Sequence, residues 1–253
     1  MCSRWTGREA ELNRQLRQTS EAGHGVLTLD DLRNLGVTEA MVHSRKRSGR
    51  FIPVLRGVVS LPGTKLTEKG RARAATYAGG RRCCLSHRSA LSVQGLVRDR
   101  GPVQVVRETG AGHNGGSRLL RSEHFDFAVE RRQLRRLRPE EITVVEGIPS
   151  LTVEKALIGF AGEATDAEIG KALSQGERER ILCWRTLKDL VATTHGGKGL
   201  GRLKREIENW DPAYADAGSE PEEDLLRLII GGKLPVPSVN EPIGAFILDF
   251  LWK

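Results

Sequence analysis

Between Thr38 and Arg56 the chain gathers side chains able to hold a polyanion: His43, Arg45, Lys46, Arg47, Arg50 and Arg56, with the Thr38 hydroxyl ahead of them. Guanidinium and ammonium groups neutralise phosphates, and arginine also forks onto guanine edges, so the chemistry is that of nucleic-acid contact. The plain alternative for KRSGR is a solvated helix end. Near the other terminus two acids stand out, Glu222 and Asp249. Two inward carboxylates would suit a divalent cation for phosphodiester hydrolysis. Glu222 also completes the pattern Ser219-x-x-Glu222, which is a purely structural capping box.

The elements that must position the basic residues are legible. Thr28 stands three residues before Asp31 and caps a helix carrying Leu29, Leu32 and Leu35. Gly36 breaks it, Val37 packs into the corner, and Thr38 caps a second helix, EAMVHSRKRSG, that Gly49 ends. Its spacing predicts Ala40, Met41 and Ser44 on one side and Glu39, His43, Lys46 and Arg47 on the other. FIPVL and GVVSL, separated by Arg56-Gly57, predict a hairpin. Helix, turn, basic helix and ribbon describe a winged helix-turn-helix with Arg50 and Arg56 on the DNA backbone.

Charge lies where this requires it. The net +8 divides into +7 over residues 1–75 and +5 over residues 76–150, then −1 over 151–217 and −3 over 218–253. The basic half holds the helix-turn-helix. With 38% hydrophobic and 28% charged residues, the composition is that of a globular chain. No apolar run approaches a membrane span and the start lacks a signal-peptide core, so a cytoplasmic location is expected. Cys2, Cys83, Cys84 and Cys183 include no C-x-x-C spacing, which leaves neither a zinc site nor a disulfide framework.

Residues 8–22 predict a polar first helix anchored by Leu12 and Leu16. Thr67–Gly79 and SHRSALSVQGL predict two more, the latter capped by Ser86 and stopped by Gly95. PVQVV and SRLLRSEHFDFAVE lean to β structure, and the glycine-rich GAGHNGG between them lacks the lysine and following helix of a phosphate cradle, so it reads as a hairpin connection. Arg131, Arg132, Arg135, Arg136 and Arg138 form a dense basic run, either a second backbone contact or a solvated face. Helices predominate from residue 153 to about 210. In AFILDFLWK both faces are apolar apart from Asp249, which predicts a strand covered on both sides and a carboxylate in need of a partner.

The stretch VLTLDDLRNLGVTEAMVHSRKRSGRFIPVLRGVVSLPG, with LSHRSALSVQGL and GIPSLTVEKALIGFA more loosely, resembles the AbiEi-type antitoxins of type IV toxin–antitoxin pairs. That resemblance implies a winged-helix regulator that binds double-stranded promoter DNA and represses its own operon, and whose next domain counteracts a nucleotidyltransferase-like toxin. SEPEEDLL and VPSVNEPIGAFILDFLW resemble the opening of a very-short-patch-repair-like endonuclease of the PD-(D/E)xK class, implying Glu222 as helix acid and Asp249 as strand acid. The family's second acid lies on a following strand, for which Lys253 is no substitute. These 253 residues are therefore not expected to catalyse, and Mg2+ is expected only in a complete and active nuclease domain.

The expected fold is α+β. A winged helix-turn-helix spans 1–64, a mixed α/β domain 65–200, and a helix plus β-hairpin of an incomplete restriction-endonuclease-like fold 201–253. The expected function is sequence-specific DNA binding, and the alternative is a metal-dependent endonuclease.

Overall fold

The computed structural model describes residues 2–109, 117–211, 213–217, 219–244 and 246–252, and of residues 2–6, 215 and 220 the backbone only. The GAGHNGG stretch and Lys253 lie outside the described residues. The chain forms two compact units, residues 1–152 and 153–253, and the boundaries expected at 64/65 and 200/201 fall inside them. The fold is mixed α and β.

The first unit opens with α1 (Cys2–Ala22), β1 (Leu27–Thr28), α2 (Leu29–Asn34), α3 (Glu39–Arg47), β2 (Ile52–Leu55) and β3 (Val58–Ser60). The three strands form one antiparallel sheet in the order β1-β3-β2. Leu16, Leu27, Leu32, Val37, Val42, Phe51 and Val59 make a single buried cluster, so the helices and the sheet share one core. Burial of this apolar surface, rather than the propensity of a six-residue α2, holds these short elements in place.

Then follow α4 (Glu68–Gly79), β4 (Cys83–Leu85), α5 (His87–Val93), β5 (Val103–Glu108), β6 (Arg118–Arg121), β7 (Ala128–Leu134), β8 (Ile142–Val145) and β9 (Ile148–Leu151). The strands form a six-stranded sheet in the order β6-β7-β5-β4-β9-β8, parallel at β5/β7 and β4/β9 and antiparallel elsewhere. Thr67 caps α4 through a bond from the Gly70 amide. Gly70 itself is required for close approach, because a Cβ there would lie 2.4 Å from the His24 carbonyl oxygen. Helix α4 thereby serves both sheets: Ala74 joins Val26, Val54 and Val58 in a second cluster, and Gly79 abuts Cys83 and Val105. Cys83 and Cys84 are buried free thiols, and burial pushes both up to about 12.

The second unit holds α6 (Val153–Phe160), α7 (Asp166–Arg178), α8 (Trp184–Thr193), α9 (Leu200–Glu208), α10 (Ala213–Asp216) and α11 (Glu220–Gly231), then a hairpin of β10 (Ser238–Ile243) and β11 (Phe246–Leu251). Tyr214, Ala217 and Leu226 form its C-terminal core, with Phe250 and Val239 packed against them. No helix among the described residues is long and apolar enough to cross a membrane.

Candidate nucleic-acid interface

The turn between α2 and α3 is built from local chemistry. Thr28 and Asp31 form a reciprocal capping box: the Asp31 amide donates to Thr28 Oγ1 at 3.1 Å, and the Thr28 amide donates to Asp31 Oδ2 at 2.7 Å. Gly36 takes φ +73, which lets the Gly36 and Val37 amides close back onto the Arg33 and Leu32 carbonyls, each at 2.9 Å. Val37 is then buried and Thr38 starts α3, its hydroxyl accepting from the Met41 amide at 3.3 Å.

On α3 the inward side is Val42 and Arg45, with Met41 half-buried; Glu39, Ala40, His43, Ser44 and Arg47 are exposed, and Lys46 is half-buried. This corrects the expected division of the helix. Ala40 and Ser44 belong to the outer face with His43 and Arg47, because the hydrophobic anchor is Val42 rather than Ala40. The side chains of His43, Lys46 and Arg47 make no hydrogen bond or ion pair with another described residue. Three basic groups therefore stand at or near the surface of one short helix, open to an external anion.

Arg45 is a further correction. It is only 9% exposed, its Nη1 donates to Asn13 Oδ1 on α1 at 2.9 Å, and its guanidinium lies 5.6 Å from the Phe51 ring centroid. Its carbonyl accepts from the Arg50 and Phe51 amides at 2.8 and 3.0 Å, which turns the chain into β2. Arg45 ties α3 to α1 and to the sheet, and its side chain is turned inward, away from the exposed side of the helix. Spacing alone missed this, since Asn13 is 32 residues away. Arg50 is exposed but engaged, with Nη1 2.7 Å from Glu9 Oε1. An exposed pair of this kind is weak enough to exchange for a phosphate.

Arg56 occupies the β2–β3 turn, exposed and without a partner among the described residues. The hairpin is short and seated. The Leu29 amide donates to the Gly57 carbonyl at 3.0 Å, and a Cβ on Gly57 would meet Tyr77 at 3.1 Å. Burial and a hydrogen bond with Asp30 raise the Tyr77 hydroxyl above its ordinary range. Arg56 is thus presented beside the start of α2 by a rigid turn rather than at the end of a long loop.

The C-terminal acids are not placed as expected. Asp249 is exposed, as are Phe246, Ile247 and Leu248, since β11 pairs only with β10 among the described residues. Its carboxylate meets water and has no burial cost to offset. On α11 the buried carboxylate is Glu223, 5% exposed, while Glu222 is half-buried and interacts with the Ser219 hydroxyl. The inward stripe runs Glu223, Leu226 and Ile229, and Leu225 lies outside it. Ser219 stands at the start of α11, and its side chain accepts no bond from the helix backbone. Among the described residues, no three His, Cys, Asp or Glu side chains gather in a way that could hold a metal ion.

Residues 14–62, which contain α2, α3 and the hairpin, match the family model described as transcriptional regulator, AbiEi antitoxin. A comparison with curated proteins gave no match. Among solved structures, the chain is similar to the crystal structure of RV2827C protein from Mycobacterium tuberculosis, at 13% identity and a TM-score of 0.49, over 81% of this chain and 79% of that one.

Proposed function

We propose that this chain is a sequence-specific regulator of the AbiEi antitoxin type, which binds double-stranded DNA through a winged helix-turn-helix and represses its own operon. The observation that carries this reading is the outer side of α3. His43, Ser44 and Arg47 are exposed on a helix locked from behind by Val42 and Arg45, with unpartnered Lys46 beside them and Arg56 on the adjoining turn. A helix entering the major groove needs free donors on one side and a fixed orientation from the other. The family match over residues 14–62 supports the same reading. Thr38, His43, Ser44 and Arg47 then face base edges or flanking phosphates, and Lys46, Arg50 and Arg56 hold the backbone. The protein partner is a nucleotidyltransferase-like toxin.

Binding of the full chain to its own upstream duplex and to a scrambled duplex, across a salt series, tests this. Tight binding to the upstream duplex alone, with a log–log salt slope of several units, is the expected result. Weak, equal binding to both would remove the regulator reading.

A further inference from the structure

The six-stranded sheet ends at β6, whose outer edge has no neighbouring strand among the described residues and exposes Arg118, Leu119 and Arg121. Neither arginine has a hydrogen bond or ion pair with another described residue. The connection that follows β6 runs under the hairpin of the helix-turn-helix. The Ser122 hydroxyl donates to the Val54 carbonyl of β2 at 2.7 Å, and Phe125 and Phe127 pack on the Val26–Val54–Val58–Ala74 cluster. Arg121 precedes Ser122 and Arg56 follows Val54 by two residues. The covalent reach of those few bonds keeps their α-carbons within roughly 19 Å of each other, well inside one turn of a duplex. Both side chains are exposed, and both stand on backbone fixed by that bond and cluster.

We propose that Arg56 and Arg121 form one phosphate clamp, in which the edge of the six-stranded sheet extends the DNA-backbone contact begun by the helix-turn-helix. This rests on the DNA-binding reading above. Residues 1–75 and 76–150 carry net charges of +7 and +5, so the sheet brings its own excess of positive charge to the hairpin. Glu123 and Asp126 are exposed on the same connection and confine the cationic surface to the arginines. Because Arg121 is a point charge on a phosphate, it adds affinity and no sequence preference.

The test is a salt series of DNA binding by the full chain carrying Arg121→Gln, with Arg121→Lys and Arg185→Gln beside it; Arg185 is exposed on α8 of the second unit. Arg121→Gln is expected to lower the log–log slope by about 0.9 and to weaken specific and scrambled duplexes alike, roughly 8-fold at 0.1 M salt. Arg121→Lys is expected to restore the slope, and Arg185→Gln to leave it at the wild-type value. An unchanged slope for Arg121→Gln overturns the clamp; if that variant also aggregates, Arg121 is a guard on an open sheet edge. An equal loss with Arg185→Gln assigns the effect to net charge and also overturns it. Failure of the wild-type chain to bind DNA removes the underlying reading itself, whereas wild-type binding weakened by Arg47→Ala but not by Arg121→Gln removes the clamp alone.

Discussion

The Arg73 guanidinium on α4 grips both carboxylate oxygens of Asp31 on α2, at 3.1 and 3.0 Å. Asp31 is also the reciprocal partner of Thr28 in the capping box, and Arg73 reaches the Val26 carbonyl as well. Both contacts come from one nitrogen, Nη2, and each side chain is about one-fifth exposed, which places this pair between a surface ion pair and a buried one. Arg73→Ala should lower the stability of the first unit by about 1–3 kcal/mol. Denaturant unfolding followed by far-UV circular dichroism would check this, and a loss under about 0.5 kcal/mol would show that α4 is held by its apolar contacts alone.

Arg45 and Arg47 are two residues apart and should behave as opposites. Arg45→Ala removes a bond to Asn13 and the packing of its stem, and should cost about 1–3 kcal/mol of stability. Arg47→Ala should leave stability within about 0.5 kcal/mol of wild type and weaken operator binding by about 1–3 kcal/mol. Thermal melts and anisotropy titrations on the two variants separate the roles. An Arg45→Ala protein of unaltered stability that has lost only operator affinity would return Arg45 to the binding surface.

Arg56→Ala removes an unpartnered charge from a turn whose backbone is held by Leu29 and by the space beside Tyr77. It should weaken every duplex alike and reduce the salt slope by about 1. A preferential loss on the upstream duplex would mean that Arg56 reads a base.

Local chemistry made α2, the turn after it, α3 and the hairpin readable. Thr28, Gly36, Thr38 and Gly57 act through bonds to residues at most five positions away, or through a backbone region that glycine enters freely, and the structure places each as its type predicts. What the sequence hid were partners distant along the chain. Arg45 is buried because Asn13 and Phe51 receive it, and α4 joins both sheets because Gly70 and Gly79 let it approach. The expectation for β11 was misled in a different way. Alternation in AFILDFLWK records that a strand is apolar on both faces, not that anything covers them, and Phe246 is 75% exposed.

His87 has φ +50, a left-handed conformation uncommon outside glycine, and its Nε2 accepts from the Arg132 guanidinium. That bond leaves the proton on Nδ1, which is buried without a partner. Desolvation first, then the Arg132 charge, lowers the imidazole to about 4, against a smaller opposing effect of Glu130. The unfolded chain takes up a proton near pH 6.5 while the folded one does not. The neutral ring's contribution is therefore complete above about pH 6.5 and falls as pH drops toward 4, by up to about 3 kcal/mol. Asparagine tolerates the same backbone region, so His87→Asn removes the titration with little added strain. The stability difference between wild type and His87→Asn should shrink from pH 7 to pH 4; a difference constant across that range would show that His87 titrates normally.

Glu222 and Glu223 are neighbours on α11 with different surroundings. Glu223 accepts from Arg227 at 3.0 Å and from the Ser174 hydroxyl at 3.2 Å, and Arg227 also approaches Glu206 at 3.5 Å and lies 4.9 Å from the Tyr214 ring centroid. Gly170 on α7 makes the room, since a Cβ there would collide with the guanidinium at 2.0 Å. Burial raises Glu206 above the ordinary carboxylate range, with Arg227 the main opposing influence. Replacing Arg227 by methionine would leave Glu223 and Glu206 without their shared cation, and should cost the second unit about 3–5 kcal/mol. Glu222→Gln should cost less than about 1 kcal/mol, because its carboxylate is half-exposed beside Ser219. Unfolding curves for the two variants decide this. A larger loss for Glu222→Gln than for Arg227→Met would mean that the second unit is organised around Glu222 and not around the buried Glu223–Arg227 pair.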